Sequence, residues 1–270
     1  MSEIQPSFEQ IQRKLFQFCS NSHAEFHHPN PLWKNPDFFI KLPFKLNEDV
    51  NPTKATHSGM SPSDLKLANE ECDILLQQGL LEHTSSPWAC QAFYVEKRSE
   101  QIRGKKRLVI DYKPLNLFLQ SDKFPVPRTN MLFSQLPGAN IFSKFDLKGA
   151  FWQIGIHPSD RYKTAFCLPN AQYQWTVLPF GLKTAPSLFQ KAITRIFHPI
   201  LHSALLYIDD ILLFSTDENS HTQLLHNFHD LLNQYGIMLS EKKSMIGLKE
   251  IEFLGMHISN GQYRLGPHLA

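Results

Sequence analysis

Two hydrophobic rhythms alternate along the chain. Leu65, Ala68, Cys72, Leu75 and Leu76 recur at helical spacing behind Ser61-Pro62-Ser63-Asp64, which supplies cap chemistry and a first-turn proline, so a helix ending near Gly79 is predicted. Leu188, Phe189, Ala192, Ile193 and Ile196 predict a second helix over Ala185–Ile196 with Pro186 in its first turn. Leu224, Leu225, Phe228, Leu231 and Leu232 predict a third, from His221 to Tyr235, stopping before Gly236. A shorter amphipathic helix fits residues 8–18 through Phe8, Ile11, Leu15 and Phe18. Strand-like runs occupy Ala92–Glu96, Leu108–Tyr112 and Ile141–Leu147. Leu205-Leu206 and Ile211–Phe214 read as the arms of a hairpin, and Phe253 to Tyr263 as strand, turn and strand. Strands with helices over one face make an α+β domain. The rest of residues 1–60, with Pro29, Pro31, Pro36, Pro43 and Pro52 and no sustained period, reads as an irregular extension. His27-His28 within it lacks a third ligand at metal-binding spacing and reads as surface.

The chemistry concentrates at Tyr207-Ile208-Asp209-Asp210, where two carboxylates sit between apolar arms. Ionised Asp is costly in such surroundings without cations or donors, which makes metal binding the leading explanation. Neighbouring side chains on a strand point in different directions, so a third carboxylate is needed. Asp146, closing the apolar run Ile141-Phe142-Ser143-Lys144-Phe145, is the best candidate. Two metal ions about 3.5–4 Å apart, bridged by Asp groups, serve polymerases and nucleases, and Mg²⁺ suits a site of few carboxylates completed by water and phosphate. These three residues alone leave a second reading open, in which Asp209-Asp210 is a solvated turn and Asp146 caps a helix starting near Lys148.

Composition sets bounds. With 270 residues and 42% hydrophobic content the chain can bury a core, and its net charge of +2 does not mark a nucleic-acid binder. Positive charge gathers at Lys97-Arg98 and Arg103-Gly104-Lys105-Lys106-Arg107, the tip of the hairpin predicted from Ala92 to Tyr112; taken alone, such a run also fits a solvated face. Cys19, Cys72, Cys90 and Cys167 are scattered without a Cys-x-x-Cys pair, consistent with buried thiols rather than a zinc site. No apolar run approaches the roughly 18–20 residues of a membrane span, and the polar start lacks a signal peptide's regions, so no membrane association is expected.

Phe145-Asp146-Leu147-Lys148-Gly149-Ala150-Phe151-Trp152-Gln153, the run from Leu178-Pro179-Phe180-Gly181 to Gln190, Tyr207-Ile208-Asp209-Asp210 and Phe253-Leu254-Gly255 stand in the order found in reverse transcriptases. The chain resembles this family from about Ser61 to Gly266. Tyr235-Gly236-Ile237-Met238-Leu239-Ser240-Glu241-Lys242-Lys243 resembles the plant pararetroviruses (caulimoviruses, badnaviruses and their genome-integrated relatives) in particular, with Ty3-type retrotransposons as neighbours. The resemblance implies a right-hand polymerase fold with an antiparallel palm sheet. Its fingers would be 61–121 and 154–182, its palm 122–153 and 183–256, and 257–270 the end of the primer-grip hairpin and the start of a largely absent thumb.

The implied activity is RNA- or DNA-templated extension of a primer with deoxynucleoside triphosphates, and the competing class is a non-catalytic nucleic-acid-binding remnant. A weaker third possibility is an RNA-dependent RNA polymerase. Asp146, Asp209 and Asp210 would hold two Mg²⁺ ions, with Mn²⁺ as a substitute. Arg107, Leu147, Ala150, Phe151, Phe180, Gly181 and Lys243 would contact the nucleotide, Arg107 by a bidentate grip on phosphate. Lys97, Arg98 and Lys105 compete for the role of fingers lysine. Phe151 would exclude a ribose 2′-hydroxyl, although a packed core ring fits it too, and Lys243 shares with Lys242 a solvated-surface alternative. Phe253-Leu254-Gly255 would be the primer grip. No Asp-Thr-Gly or Asp-Ser-Gly protease signature occurs, and thumb, ribonuclease H and protease segments that normally accompany this core are expected elsewhere in a polyprotein. The expected location is intracellular, in a cytoplasmic virus-like particle, and unassigned for a genome-integrated copy.

Overall fold

The computed structural model describes residues 3–4, 8–19, 28–51, 53, 56–96 and 106–266. In chain order its elements begin with β1 (Glu3–Ile4), α1 (Glu9–Leu15), α2 (Pro62–Gln77), β2 (Leu81–His83), β3 (Cys90–Glu96), β4 (Lys106–Ile110), α3 (Lys113–Asn116) and α4 (Thr129–Leu132). There follow β5 (Ile141–Leu147), β6 (Phe166–Leu168), β7 (Ala171–Trp175), α5 (Ala185–Ile196), β8 (Ala204–Tyr207), β9 (Asp210–Ser215) and α6 (Glu218–Tyr235). The last are β10 (Leu239–Leu248), β11 (Glu250–Phe253), β12 (Met256–Ser259) and β13 (Gln262–Leu265). Two compact units result, one from residues 1–32, 124–150 and 186–270, the other from 33–123 and 151–185.

The first unit is built on a five-stranded sheet of order β1-β10-β5-β9-β8. It is antiparallel except at its edge, where β1 runs parallel to β10. Because side chains alternate across a strand, the pairings Phe142↔Phe214, Lys144↔Leu212 and Asp146↔Asp210 put these six residues on one face. Leu205 and Tyr207 of β8, opposite Leu212 and Asp210, join them. The reverse face carries Ser143 and Phe145 and is covered by α6, where the Phe228 ring lies 5.0 Å from that of Phe145. On the front face, Ile251, Phe253 and Ile258 of the three-stranded sheet β11-β12-β13 share a buried cluster with Phe142, Leu205, Leu212 and Phe214. One end of the front face is thus sealed by apolar packing, while the other carries the acids.

The described residues among 1–60 contribute to both compact units. Phe8, Ile11 and Leu15 anchor the first part at helical spacing, whereas Trp33, Phe38, Leu42 and Phe44 act as single anchors with no sustained period. In the first unit, Phe8 packs edge-on against His221, and Cys19 Sγ donates to Leu239 O at 2.8 Å. His28 is buried rather than on the surface, within 3.4 Å of Asn233 Oδ1. The chain leaves α6 through Gly236, whose φ is +73°, and passes so close to Asn30 that a Cβ there would overlap its carbonyl oxygen.

The second unit has a five-stranded sheet of order β2-β7-β6-β3-β4, antiparallel except where β3 meets β6. Ser61 caps α2 as its sequence implied, accepting from Asp64 N at 3.2 Å. Trp33, Phe38, Leu42 and Phe44 are buried in this unit. So is Lys163, which ion-pairs with Glu48 at 2.6 Å and Asp160 at 3.1 Å, donates to Leu42 O at 2.8 Å and stands 4.2 Å over the Phe44 ring. The tip joining β3 to β4, including Lys97, Arg98, Arg103 and Lys105, lies outside the described residues. No described helix is long and apolar enough to cross a membrane.

Candidate active site

Two strands and one turn assemble the acids of the first unit. Asp146, next to last in β5, stands directly opposite Asp210, the first residue of β9, so their side chains emerge together on the front face. Asp209 occupies the two-residue turn between β8 and β9, and its carbonyl accepts from Leu147 N at 3.1 Å. Its partner in that turn, Ile208, has φ +53°, a conformation a β-branched residue adopts only under compulsion. Gln190 on α5 supplies it. This buried amide accepts from Ile208 N at 2.8 Å and donates to Leu206 O at 3.0 Å, bracketing the turn. Asp146 therefore belongs to a strand and caps no helix.

The acids repel one another and lie partly out of water. Burial is the main reason that the Asp210 carboxyl is pushed up to about 7, helped by a hydrogen bond to Asp146 and by the charges of Asp146 and Asp209. Asp209 is likewise raised, first by burial and then by the Asp146 charge. The surroundings thus oppose ionisation of Asp210, a cost that a nearby cation would relieve.

Strand β10 contributes through an irregularity. Ser240 pairs with Asp146, yet the next pairing, Lys144 on β5, is with Met245, so the residues between them bulge out of the ladder. Buried Ser244 closes the bulge by donating to Ser240 O at 2.9 Å. The bulge points exposed Lys243 back at the acids, with Nζ 3.4 Å from Asp146 Oδ2, which separates it from the neighbouring Lys242. Leu147 and Ala150 are buried, so the surface they offer a ligand is mainly backbone. Phe253 lies in the apolar cluster, while Leu254 (φ +50°) and Gly255 (φ +78°) form the turn into β12.

The other expected nucleotide residues belong to the second unit. Arg107 is exposed within β4, opposite Val95, rather than ahead of the strand; its neighbour Lys106 pairs with Asp64 at 3.1 Å. Phe151 and Phe180 have ring centroids 5.3 Å apart, and Phe180 is half exposed. Gly181 has φ +99°, and its carbonyl accepts from Asn116 Nδ2 at 3.0 Å.

Gln190, Ser244 and Lys144 went unrecognised in the sequence as supports of the site. Gln190 did leave a signal, a polar residue within a buried helical stripe. Lys144 shares the alternation that places Asp146, whereas Ser244 has no local mark. The donors at the acids are all hard oxygens, which suits Mg²⁺ and not the softer metals that seek sulfur or imidazole. Among the described residues no three His, Cys, Asp or Glu side chains converge closely enough to hold a metal by themselves.

The family profile for reverse transcriptase (RNA-dependent DNA polymerase) matches residues 95–258. Over 256 residues, 94% of the chain, the sequence is 58% identical to the genome polyprotein of Petunia vein clearing virus (isolate Shepherd), of which this stretch is 12%. It is 34% identical over 266 residues, 98% of the chain, to the enzymatic polyprotein of Cauliflower mosaic virus (strain Strasbourg), of which it is 38%. The chain thus spans a minor part of these pararetrovirus relatives. The structure of a foamy viral protease-reverse transcriptase in complex with an RNA/DNA hybrid matches with a TM-score of 0.76 at 20% identity, covering 99% of this chain and 37% of that one. A foamy viral protease-reverse transcriptase in complex with double-stranded DNA gives 0.75 at 22% identity, covering 99% and 48%. At such identities the likeness is one of fold, and the fold is the right-hand palm-and-fingers architecture. Motif order, fold and the match across residues 95–258 lead to one conclusion: the chain belongs to the reverse transcriptase family.

Proposed function

We propose that this chain is the nucleotidyl-transfer core of a pararetroviral polyprotein, extending a primer with deoxynucleoside triphosphates on an RNA or DNA template. The observation that carries the reading is the opposition of Asp146 and Asp210 across β5 and β9, with Asp209 in the adjoining turn. The foamy viral complexes with RNA/DNA hybrid and duplex DNA support a nucleic-acid partner. In this reading residues 122–153 and 183–256 form the palm, and 61–121 and 154–182 the fingers.

Asp146, Asp209 and Asp210 would hold two Mg²⁺ ions, or Mn²⁺ in their place, which when bound lower the pKa of the primer 3′-hydroxyl and neutralise charge on the leaving pyrophosphate. The chain's own residues do the rest. Gln190 keeps the strained turn closed, so Asp209 is pre-oriented before substrate arrives. Lys243, aimed at Asp146 by the bulge, stands ready to give a proton to pyrophosphate. Arg107 grips phosphate oxygens, Phe151 fills the space beside the sugar's second carbon, and Leu147, Ala150, Phe180 and Gly181 complete the nucleotide's surroundings. Phe253-Leu254-Gly255 holds the primer end.

Asp209→Asn tests this directly, because the amide keeps the shape and loses the charge. Mg²⁺-dependent primer extension should vanish while far-UV circular dichroism is unchanged. A folded variant with near-normal turnover would remove Asp209 from the chemistry.

A further inference from the structure

The front face of the first unit has two ends, one apolar and sealed by β11–β13, the other acidic, and between them stands a single cation, Lys144. Alternation along β5 places it between Phe142, inside the buried cluster, and Asp146. Its aliphatic stem lies along β5 next to the cluster while the ammonium reaches an exposed position. Lys144 Nζ donates to Glu252 O at 3.1 Å. Glu252 lies in β11, an edge strand of its sheet, one residue before Phe253-Leu254-Gly255. Apolar contacts hold the three-stranded sheet down but do not specify its position along β5, whereas a charge-assisted bond to one carbonyl does.

The geometry points to Lys144 as a positioning residue that fixes the β11–β12 hairpin relative to Asp146 and Asp210, and so sets where a held primer end meets them. This rests on the reading of Phe253-Leu254-Gly255 as the primer-holding turn. Displacing a reacting group by about 1 Å can cost roughly a hundredfold in rate, so loosening the hairpin should be costly.

Two variants test the assignment. Lys144→Met keeps the stem but removes donor and charge, and Lys144→Arg keeps both. In primer extension, Lys144→Met should lower kcat by about ten- to a hundredfold with the KM for deoxynucleotide essentially unchanged, and Lys144→Arg should recover most of the loss. Independently of activity, amide hydrogen exchange over residues 250–265 should quicken in Lys144→Met while residues 204–215 stay protected. Unchanged exchange in 250–265 would overturn the tether, as would faster exchange with an unchanged kcat. An increased Mg²⁺ requirement without faster exchange would assign Lys144 to the carboxylates alone and also overturn it. If the parent chain failed to extend primers at all, the nucleotidyl-transfer reading would fall, and exchange would still decide whether Lys144 ties down the hairpin.

Discussion

Asp210→Asn should stabilise the metal-free protein while destroying its activity. Folding holds the Asp210 carboxyl at about 7 against an ordinary 3.8, so the folded chain binds a proton that the unfolded chain has already released. Between these values the folded state carries more protons, and the contribution of this group to stability is full below pH 4 and is lost as pH rises through 7. The shift corresponds to ~4 kcal/mol at pH 8 for a fully buried group. Asp210 is half-buried, and screening by water reduces this to ~1–2 kcal/mol. Asparagine cannot ionise and can donate to Asp146, so it escapes the penalty. For a chain of this size the gain amounts to about 2–8 °C in melting temperature at pH 8, and about a third of that at pH 5, where little of the penalty is yet incurred. Thermal melts by circular dichroism in EDTA at the two pH values measure both numbers. Saturating Mg²⁺ should raise the melting temperature of the parent far more than that of the variant. A variant that melts lower than the parent at pH 8, or gains equally at pH 5 and pH 8, would show that the acids do not strain the fold.

Other expectations concern separate parts of the chain. Phe151→Val should raise ribonucleotide use relative to deoxynucleotide use by about tenfold or more in steady-state kinetics; equal loss of both would mean that the ring only packs against Phe180. Lys163→Met should destabilise the protein in urea unfolding by ~1–3 kcal/mol, because it leaves Leu42 O without its donor and partly buried Asp160 without its counter-charge, and adding Asp160→Asn should recover part. His221 is held neutral by burial, down to about pH 4, between Ser143 Oγ at 2.6 Å and Ser215 Oγ at 2.9 Å. Its unfolded form takes up a proton below pH 6.5, so stability should fall by ~3 kcal/mol as pH drops from 6.5 to 4, and His221→Gln should flatten that slope in urea melts.

Features written locally were legible in the sequence. The hairpin that carries Asp209 and Asp210 could be read because its apolar arms pair with each other, although its turn is Ile208-Asp209 and Asp210 already opens β9; α5 could be read because its period and first-turn proline lie within twelve residues. The order of the motifs supplied the fold. What stayed hidden depends on distant partners: β1 is two residues long and takes its meaning from Met245 and Ile246. The bulge in β10 is a mismatch with β5, and no property of Glu241-Lys242-Lys243-Ser244 alone tells which lysine it aims at Asp146. Lys144 carries no mark of a tether in the sequence because its partner, the Glu252 carbonyl, lies 108 residues away.

The seating of residues 3–4 and 8–19 bears on how the chain tolerates shortening. A polypeptide begun where the family match begins, at residue 95, would lack the strand that covers the outer edge of β10 and the Phe8 ring that fills the space beside Gly247 and His221. Its sheet would then present unpaired amides and carbonyls beside an emptied apolar socket, the two features that invite one molecule to stack on the next. Insolubility of such a fragment would reflect this missing plug together with the loss of α2, β2 and most of β3 from the second unit, and would carry no information about the chemistry of its acids.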